Sequence, residues 1–297
     1  LQPDPTDAAN IVVASVSGGK DSTAMSLWLT EQGIEHRRVC MDTGWEHPDW
    51  RPYVEDYLQE RLGPIEIIQS KIGGMVDLIE KKKMFPTRNI RFCTEELKVK
   101  PFHLKMTEIH AQTGRQPISS LGIRADESKA RSGLPQWDII PVLGFFLWRP
   151  LINWTVEDVI KIHQRHNVRP NPLYLRGEGV NRVGCWPCIH SVKAEIKMVA
   201  DQSPERIDLI RRLEEEQTQA YNRRRAAKGL PANGRLAFFN GKGNRGAPVA
   251  IDDAVDWSRT SRGGKQYEMF ASEREGCVRW GMCEGVGSPA WTQGDDD

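Results

Sequence analysis

Apolar positions change period several times along this 297-residue chain. From Ile11 to Val16 they run unbroken and are mostly β-branched, the pattern of a strand buried on both faces. Ala24, Met25, Leu27, Trp28 and Leu29 then recur with helical spacing, and Gly33 supplies a stop. Further strands are expected at Glu35 to Met41, Ile65 to Gln69, Ile118 to Ile123 and Ile139 to Leu143. Helices are expected over Tyr53 to Leu62, Gly73 to Lys83 and Val156 to His166, with another completed by Thr107 to Thr113. Ser203 and Pro204 open a long helix that closes at Gly229. Strands alternating with helices predict an α/β fold with a doubly wound, mainly parallel sheet. Residues 1–10 read as a disordered lead-in, 11–200 as the α/β domain, and 201–297 as a C-terminal helical and irregular extension that carries cysteines.

The first strand ends in Ser17-Gly18-Gly19-Lys20-Asp21-Ser22, directly before the first helix. Glycines let backbone N–H groups approach an anion, and a helix start adds roughly half a positive charge. Lys20 is a point cation for phosphate oxygens, while Asp21 and Ser22 can cap the helix or hold a metal. This is not the Walker spacing. The plain reading is a glycine turn with a solvated lysine. The second strand runs into Asp42-Thr43-Gly44, and ligands of open parallel sheets sit beyond the carboxyl ends of strands. Asp42 is therefore expected beside the glycine loop. Gly122-Ile123-Arg124 follows the fourth such end, with Arg131 beyond. Both arginines can hold phosphate or sulfate bidentately, or form one helix-start charge cluster.

Lys plus Arg is 41 and Asp plus Glu is 40, so overall charge gives no sign of a nucleic-acid binder. The mean hydropathy is −0.54, the apolar run from Val142 to Trp148 is too short to span a bilayer, and no membrane association is expected. No signal-peptide pattern is present, so a cytoplasmic location is expected. Six cysteines in such a chain favour metal or redox work over disulfides. Cys185 and Cys188 stand two residues apart and can grip one metal or cluster. Cys93 lies among Arg91, Lys98 and Lys100, while Cys40 falls inside a strand and reads as core. Cys277 and Cys283 complete five candidate thiolates for a four-ligand site. Arg211, Arg212, Arg223, Arg224, Arg225 and Lys228 make the long helix basic at intervals. That is a solvated face or a nucleic-acid contact. Residues 230–265, with Phe238 and Phe239, read as base-stacking contacts to single strands or as a flexible loop.

Ser17 to Ser22 resembles the PP-loop of the ATP pyrophosphatases residue for residue. Asp42-Thr43-Gly44, Cys93-Thr94 through Leu97-Lys98 to Pro101, and Gly122-Ile123-Arg124 with Glu127-Ser128 and Arg131 resemble the phosphoadenylyl-sulfate reductase-like branch of that family. So do Trp154-Thr155, Asn171-Pro172-Leu173-Tyr174 and Gly184-Cys185 to Cys188. In order, these matches cover roughly residues 11 to 190. The resemblance implies a Rossmann-like sheet of the adenine nucleotide alpha-hydrolase type and cleavage of ATP to AMP and pyrophosphate. It implies catalytic roles for Lys20, Asp21, Asp42 and Arg124. Nucleotide contacts are implied for Ser17, Gly18, Gly19, Lys20, Asp21, Ser22, Asp42, Thr43, Gly122, Arg124 and Arg131. Mg²⁺ would sit on Asp21 or Asp42, and a [4Fe–4S] cluster, or alternatively Zn²⁺, on four of Cys93, Cys185, Cys188, Cys277 and Cys283.

Three departures separate this chain from the typical reductases it resembles. Those carry a Cys-Cys pair where Cys93 stands alone, a degenerate loop without the Gly-Gly-Lys run, and a Glu-Cys-Gly-x-His tail. Cys283-Glu284-Gly285 has another order and no His. The chain looks more like the nucleic-acid thiolation enzymes, above all the ATP pyrophosphatase of DNA phosphorothioation. That implies nucleic acid as partner, DNA rather than tRNA, and a sulfur donor such as a cysteine desulfurase, with an oligomer allowed. The rival readings are a phosphoadenylyl-sulfate or adenylyl-sulfate reductase, a tRNA sulfurtransferase and a non-catalytic nucleotide-sensing subunit.

Overall fold

A computed structural model describes residues 2–175, 183–241 and 246–261. β1 (Asn10–Ser15) lies inside a six-stranded sheet of order β3-β2-β1-β4-β6-β5. β2 (His36–Asp42) and β4 (Gln116–Leu121) flank it, both parallel. β3 (Ile65–Gln69) extends one side in parallel, and β6 (Phe145–Trp148) pairs parallel with β4 on the other. The edge strand β5 (Trp137–Ile140) is antiparallel to β6. The expected α/β, doubly wound, mainly parallel sheet is therefore present.

Both faces of β1 are covered, which is why its apolar run does not alternate. Val12 and Ala14 pack with α1 (Lys20–Glu31) and α7 (Val156–Arg165) in one core. The same core takes Trp50, Val54 and Leu58 from a rod at 50–62, built of α2 (Trp50–Pro52), a π turn (Tyr53–Leu58) and α3 (Gln59–Leu62). Ile11 and Val13 pack on the other face against Phe102, Met106 and Ile109. These come from a second rod at 92–113, made of α5 (Phe92–Thr94), a π turn (Glu95–Val99) and α6 (Lys100–Thr113).

A further core lies at the C-terminal side. It joins α4 (Met75–Lys82) to α8 (Lys193–Gln202), α9 (Pro204–Ala226) and α10 (Ile251–Ser258). Trp45, from the loop after β2, and Phe238 belong to it, stacked with ring centroids 5.8 Å apart. A short ribbon of β7 (Phe239–Asn240) and β8 (Pro248–Val249) precedes α10. Phe238 and Phe239 are buried at 1% and 7% exposure, so they are core residues rather than stacking platforms.

Several element boundaries differ from expectation. The strand expected at Ile139 to Leu143 is β5, two residues earlier. Gly144, at φ +68°, turns the chain into β6, because the left-handed backbone there interrupts what reads as one apolar run. α8 is an additional helix, short and placed just before Ser203. Where a disordered lead-in is expected, residues 2–9 lie as turns, and Asn10 Nδ2 donates to Asp4 O at 2.7 Å. No helix among the described residues is long and apolar enough to cross a membrane.

His36 gives the fold a pH signature. Its Nδ1 faces Ile34 O at 2.8 Å and its Nε2 faces Ser26 Oγ at 3.0 Å, a set that a neutral ring satisfies. Burial pulls its pKa from the ordinary 6.5 to about 4. Between those values the unfolded chain binds a proton that the folded chain refuses. Stability is thus full above the ordinary value and declines toward acid, by at most about 3 kcal/mol from this ring. Melting temperatures measured above and below this window should show the decline. His36→Gln should shrink it, and an unchanged decline would remove His36 as the cause.

Candidate nucleotide and thiol site

β1 and β4 lie side by side, but the connections leaving them go to opposite sides of the sheet. The crevice beyond their carboxyl ends is the topological switch point where open α/β sheets bind ligands. Two glycines let the segments there meet. Gly18 is left-handed at φ +75°, and a Cβ on it would come within 2.9 Å of Val54 Cγ2. Gly122 lies against the backbone of Asp21 and Ser22, where a Cβ would come within 2.5 Å of Asp21 O. Ser22 closes the loop from inside. Its hydroxyl accepts the Ser17 N–H at 3.1 Å and donates to Gly19 O at 3.0 Å. Trp50 Nε1 donates to Ser17 O at 2.9 Å and fastens the loop to the first rod.

The charged groups follow from that closure. Asp21 Oδ2 takes the Lys20 ammonium at 2.9 Å, and Asp21 Oδ1 takes Arg124 Nε at 2.5 Å. Arg124 is only 4% exposed and also pairs with Asp126. Its backbone N–H donates to Glu127 Oε2 at 2.9 Å, and Glu127 in turn pairs with Arg131. Arg131 is thus linked to the loop through Glu127 and Arg124. Burial works against the charge on Asp21, but Lys20 and Arg124 hold its carboxyl below the usual range. Burial likewise opposes the Lys20 ammonium, while Tyr174 and Asp21 keep its pKa above the ordinary lysine value. α1 starts at Gly19 with no side-chain cap. Of its first-turn N–H groups, that of Lys20 meets the Tyr174 hydroxyl at 3.3 Å. Two cations, a glycine loop and a helix start can together hold a polyphosphate.

The end of β2 faces the same crevice. Asp42 accepts the Gly44 N–H at 2.7 Å and Arg51 at 2.5 Å. Glu46 accepts the Thr43 hydroxyl at 2.5 Å and the N–H groups of Thr43 and Trp45 at 3.2 and 3.1 Å. The segment carrying Cys185 is fastened to this loop. Trp186 N–H donates to Trp45 O at 2.7 Å, and Trp45 Nε1 donates to Pro187 O at 2.9 Å. Cys93, Cys185 and Cys188 pack against the same core, and the Lys98 pKa is raised chiefly by Cys185, with Glu46, Cys188 and Cys93 adding to it. Burial pushes the Cys185 and Cys93 thiols up, and Lys98 counters it at both. Cys40 is fully buried in β2, as expected.

Three of the five expected metal ligands border one core, while Cys277 and Cys283 lie outside the described residues. Among the described residues no three His, Cys, Asp or Glu side chains converge as metal ligands do. The three thiols do not by themselves fit a four-thiolate cluster or zinc. Asp21 and Asp42 have each carboxylate oxygen already engaged, so neither presents an unpartnered oxygen to Mg²⁺.

Residues 11–191 match the model of the phosphoadenosine phosphosulfate reductase domain. The chain belongs to that family. An uncharacterized 37.8 kDa protein of Escherichia phage 186 is 31% identical over 338 aligned residues, spanning 93% of this chain and 97% of the relative. A phosphoadenosine 5'-phosphosulfate reductase of Buchnera aphidicola is 24% identical over 168 residues, spanning 56% of this chain and 66% of that protein. The crystal structure of a phosphoadenylyl-sulfate reductase from Candida auris aligns at TM-score 0.42 and 16% identity, covering 61% of this chain and 82% of that one.

Residue by residue, the family's motifs converge here. Ser17 to Ser22, Asp42, Thr43, Gly122 and Arg124 surround one crevice, and Arg131 stands one ion pair away from Arg124. Glu46 and Tyr174 adjoin these groups without having been singled out in the sequence, and Lys98, read there as a cation beside Cys93, also bears on Cys185 and Cys188. Tyr174 stands inside the Asn171 motif block, which is the signal that could have found it. Nothing in the sequence marks Glu46, because its role depends on the Cys185 segment folding onto it.

The contact at Gly122 is testable. A methyl there meets backbone, which cannot swing away, so Gly122→Ala should cost about 1–3 kcal/mol. A methyl at Gly133 would meet nothing within 4 Å. Gly133→Ala should leave the melting temperature near that of the parent, and equal melting for both variants would refute the packing argument.

Proposed function

We propose that this chain is an ATP pyrophosphatase that adenylylates an acceptor during sulfur modification of nucleic acid, with DNA phosphorothioation the preferred case. The observation that carries this reading is the intact loop from Ser17 to Ser22, with the Lys20 ammonium 2.9 Å from Asp21 and Arg124 braced behind it. In the proposed reaction an acceptor oxygen attacks the α-phosphorus. The bond from that phosphorus to the α–β bridging oxygen breaks, and pyrophosphate leaves with the electron pair. Loop N–H groups orient the α-phosphate, and Lys20 offsets the charge that grows on the departing pyrophosphate. Arg124 fixes Asp21, which fixes Lys20. The acceptor oxygen, now bonded to AMP, becomes a leaving group for sulfur supplied by a donor protein. Cys93, Cys185 and Cys188, each bearing on Lys98, are candidates to receive that sulfur.

A second reading, reduction of a sulfonucleotide, is favoured by the family and by relatives named as phosphoadenosine and adenosine phosphosulfate reductases. Pyrophosphate release separates the two. With ATP and DNA, and the sulfur donor where needed, AMP and pyrophosphate should appear in equal amounts. Lys20→Ala should slow this by about 100-fold or more. Absence of pyrophosphate, together with thioredoxin-dependent sulfite from phosphoadenylyl sulfate, would replace the proposal with the reductase reading.

A further inference from the structure

Between Glu216 and Asp252 the chain contains no acidic residue, although it contains seven cations: Arg223, Arg224, Arg225, Lys228, Arg235, Lys242 and Arg245. The chain as a whole is balanced at +1, so this charge is segregated rather than typical. Five of the seven are described, and they gather at the C-terminal end of α9 and the strap that folds back along it. Arg223, Arg224 and Lys228 are exposed and make no ion pair among the described residues. Arg211, nearer the start of the same helix, is by contrast held by Asp208 and Asp252.

The strap is fixed to the helix side chain by side chain. Glu214 accepts the N–H groups of Phe238 and Ile251 at 2.9 and 3.1 Å. Thr218 exchanges two hydrogen bonds with Leu236, and Asn222 exchanges two with Gly234. Arg225 Nε donates to Pro231 O at 2.6 Å. Gly234 is required there, since a Cβ would come within 2.3 Å of the Tyr221 ring. The cations therefore stand on an ordered surface, and binding there would cost little ordering of the backbone.

We propose that this end of α9 is a docking surface for the phosphate backbone of a nucleic acid. Arg223, Arg224 and Lys228, exposed and without an ion pair among the described residues, form an ordered cationic surface that fits a polyanion of regular spacing, while Arg235 is paired with Asp253 at 3.8 Å. The opposite end of α9 reaches the loop after β2. Arg206 lies over the Trp45 ring at 4.3 Å and donates to Glu46 O at 3.3 Å. Seventeen residues of helix separate Arg206 from Arg223, about 26 Å at 1.5 Å per residue. That is roughly eight steps of a duplex at 3.4 Å per step. A nucleic acid held at the tip is thus within one duplex turn of Arg206 and the loop carrying Trp45 and Glu46. The inference rests on the proposed function only for the purpose of binding, and it concerns a surface remote from the nucleotide loop.

The test is fluorescence anisotropy of a labelled DNA duplex against salt, with the full chain. The variant Arg223→Glu, Arg224→Glu and Lys228→Glu should lose tenfold or more in affinity, and the slope of log affinity on log salt should shrink by about 2 to 3. The same charge change placed elsewhere, Arg37→Glu, Lys71→Glu and Lys161→Glu, should do neither. If the first variant melts early, the three glutamine substitutions replace it with the same expectation. Unchanged affinity and slope would overturn the proposal, as would binding to anionic-lipid vesicles in preference to DNA. DNA binding that the variant loses, with no pyrophosphate release by the parent chain, would leave the docking surface standing and the proposed function failed; pyrophosphate release with unchanged affinity in the variant would mean the reverse.

Discussion

The candidate site of this chain depends on the meeting of β1 and β4 at their carboxyl ends. Parallel pairing carries Ser15 and Leu121 to the same level of the sheet. From there Gly122 lies against the Asp21 and Ser22 backbone, and Arg124 reaches the Asp21 carboxylate. An ion pair at 4% exposure of its arginine is costly to desolvate and costlier to break, about 3–5 kcal/mol when one partner is removed. The pair is weak evidence for stability and good evidence for positioning. It keeps the Lys20 ammonium beside Asp21 rather than loose in solvent.

The strand–loop–helix around Ser17 to Ser22 was legible in the sequence because each of its signals is local. β-branched residues make the strand, glycines the turn and a helical apolar stripe the continuation. β2, β3 and β4 were legible as strands for the same reason. β6 was not, since Val142 to Trp148 reads as one apolar run that Gly144 divides, and the break that Pro141 marks after Ile140 went unused. Glu46, and the reach of Lys98 beyond Cys93 to Cys185 and Cys188, were missed for a different reason. Their roles come from three distant segments meeting, the second rod, the loop after β2 and the Cys185 segment. Spacing within any one of these says nothing of the others. Phe238 and Phe239 show the converse error, in which glycine-rich surroundings read as solvent although the aromatic rings fill a core.

The extension reads from sequence as an appendage, yet its helices share a core with α4 and the loop after β2. α9 spans from that core to the exposed cations Arg223, Arg224 and Lys228. Its buried Glu214 replaces strand pairing for the strap by accepting two backbone N–H groups. Burial raises the Glu214 pKa, while those N–H groups favour its charged form. The same helix therefore serves as core element, as scaffold for the strap and as carrier of the arginines.

Trp45 follows β2 by only a few residues, yet it is fully buried against Phe238, almost two hundred residues further on. On the ribosome the N-terminal sheet can assemble early, because its strands are supplied in the first half of the chain. The loop bearing Asp42 and Glu46 is seated later, since Trp45 meets Trp186 and Pro187, then Arg206, and last Phe238. Vectorial synthesis thus delivers a sheet first and a finished crevice last, and a nascent chain halted before that point would lack the geometry of the site while already holding most of its motifs.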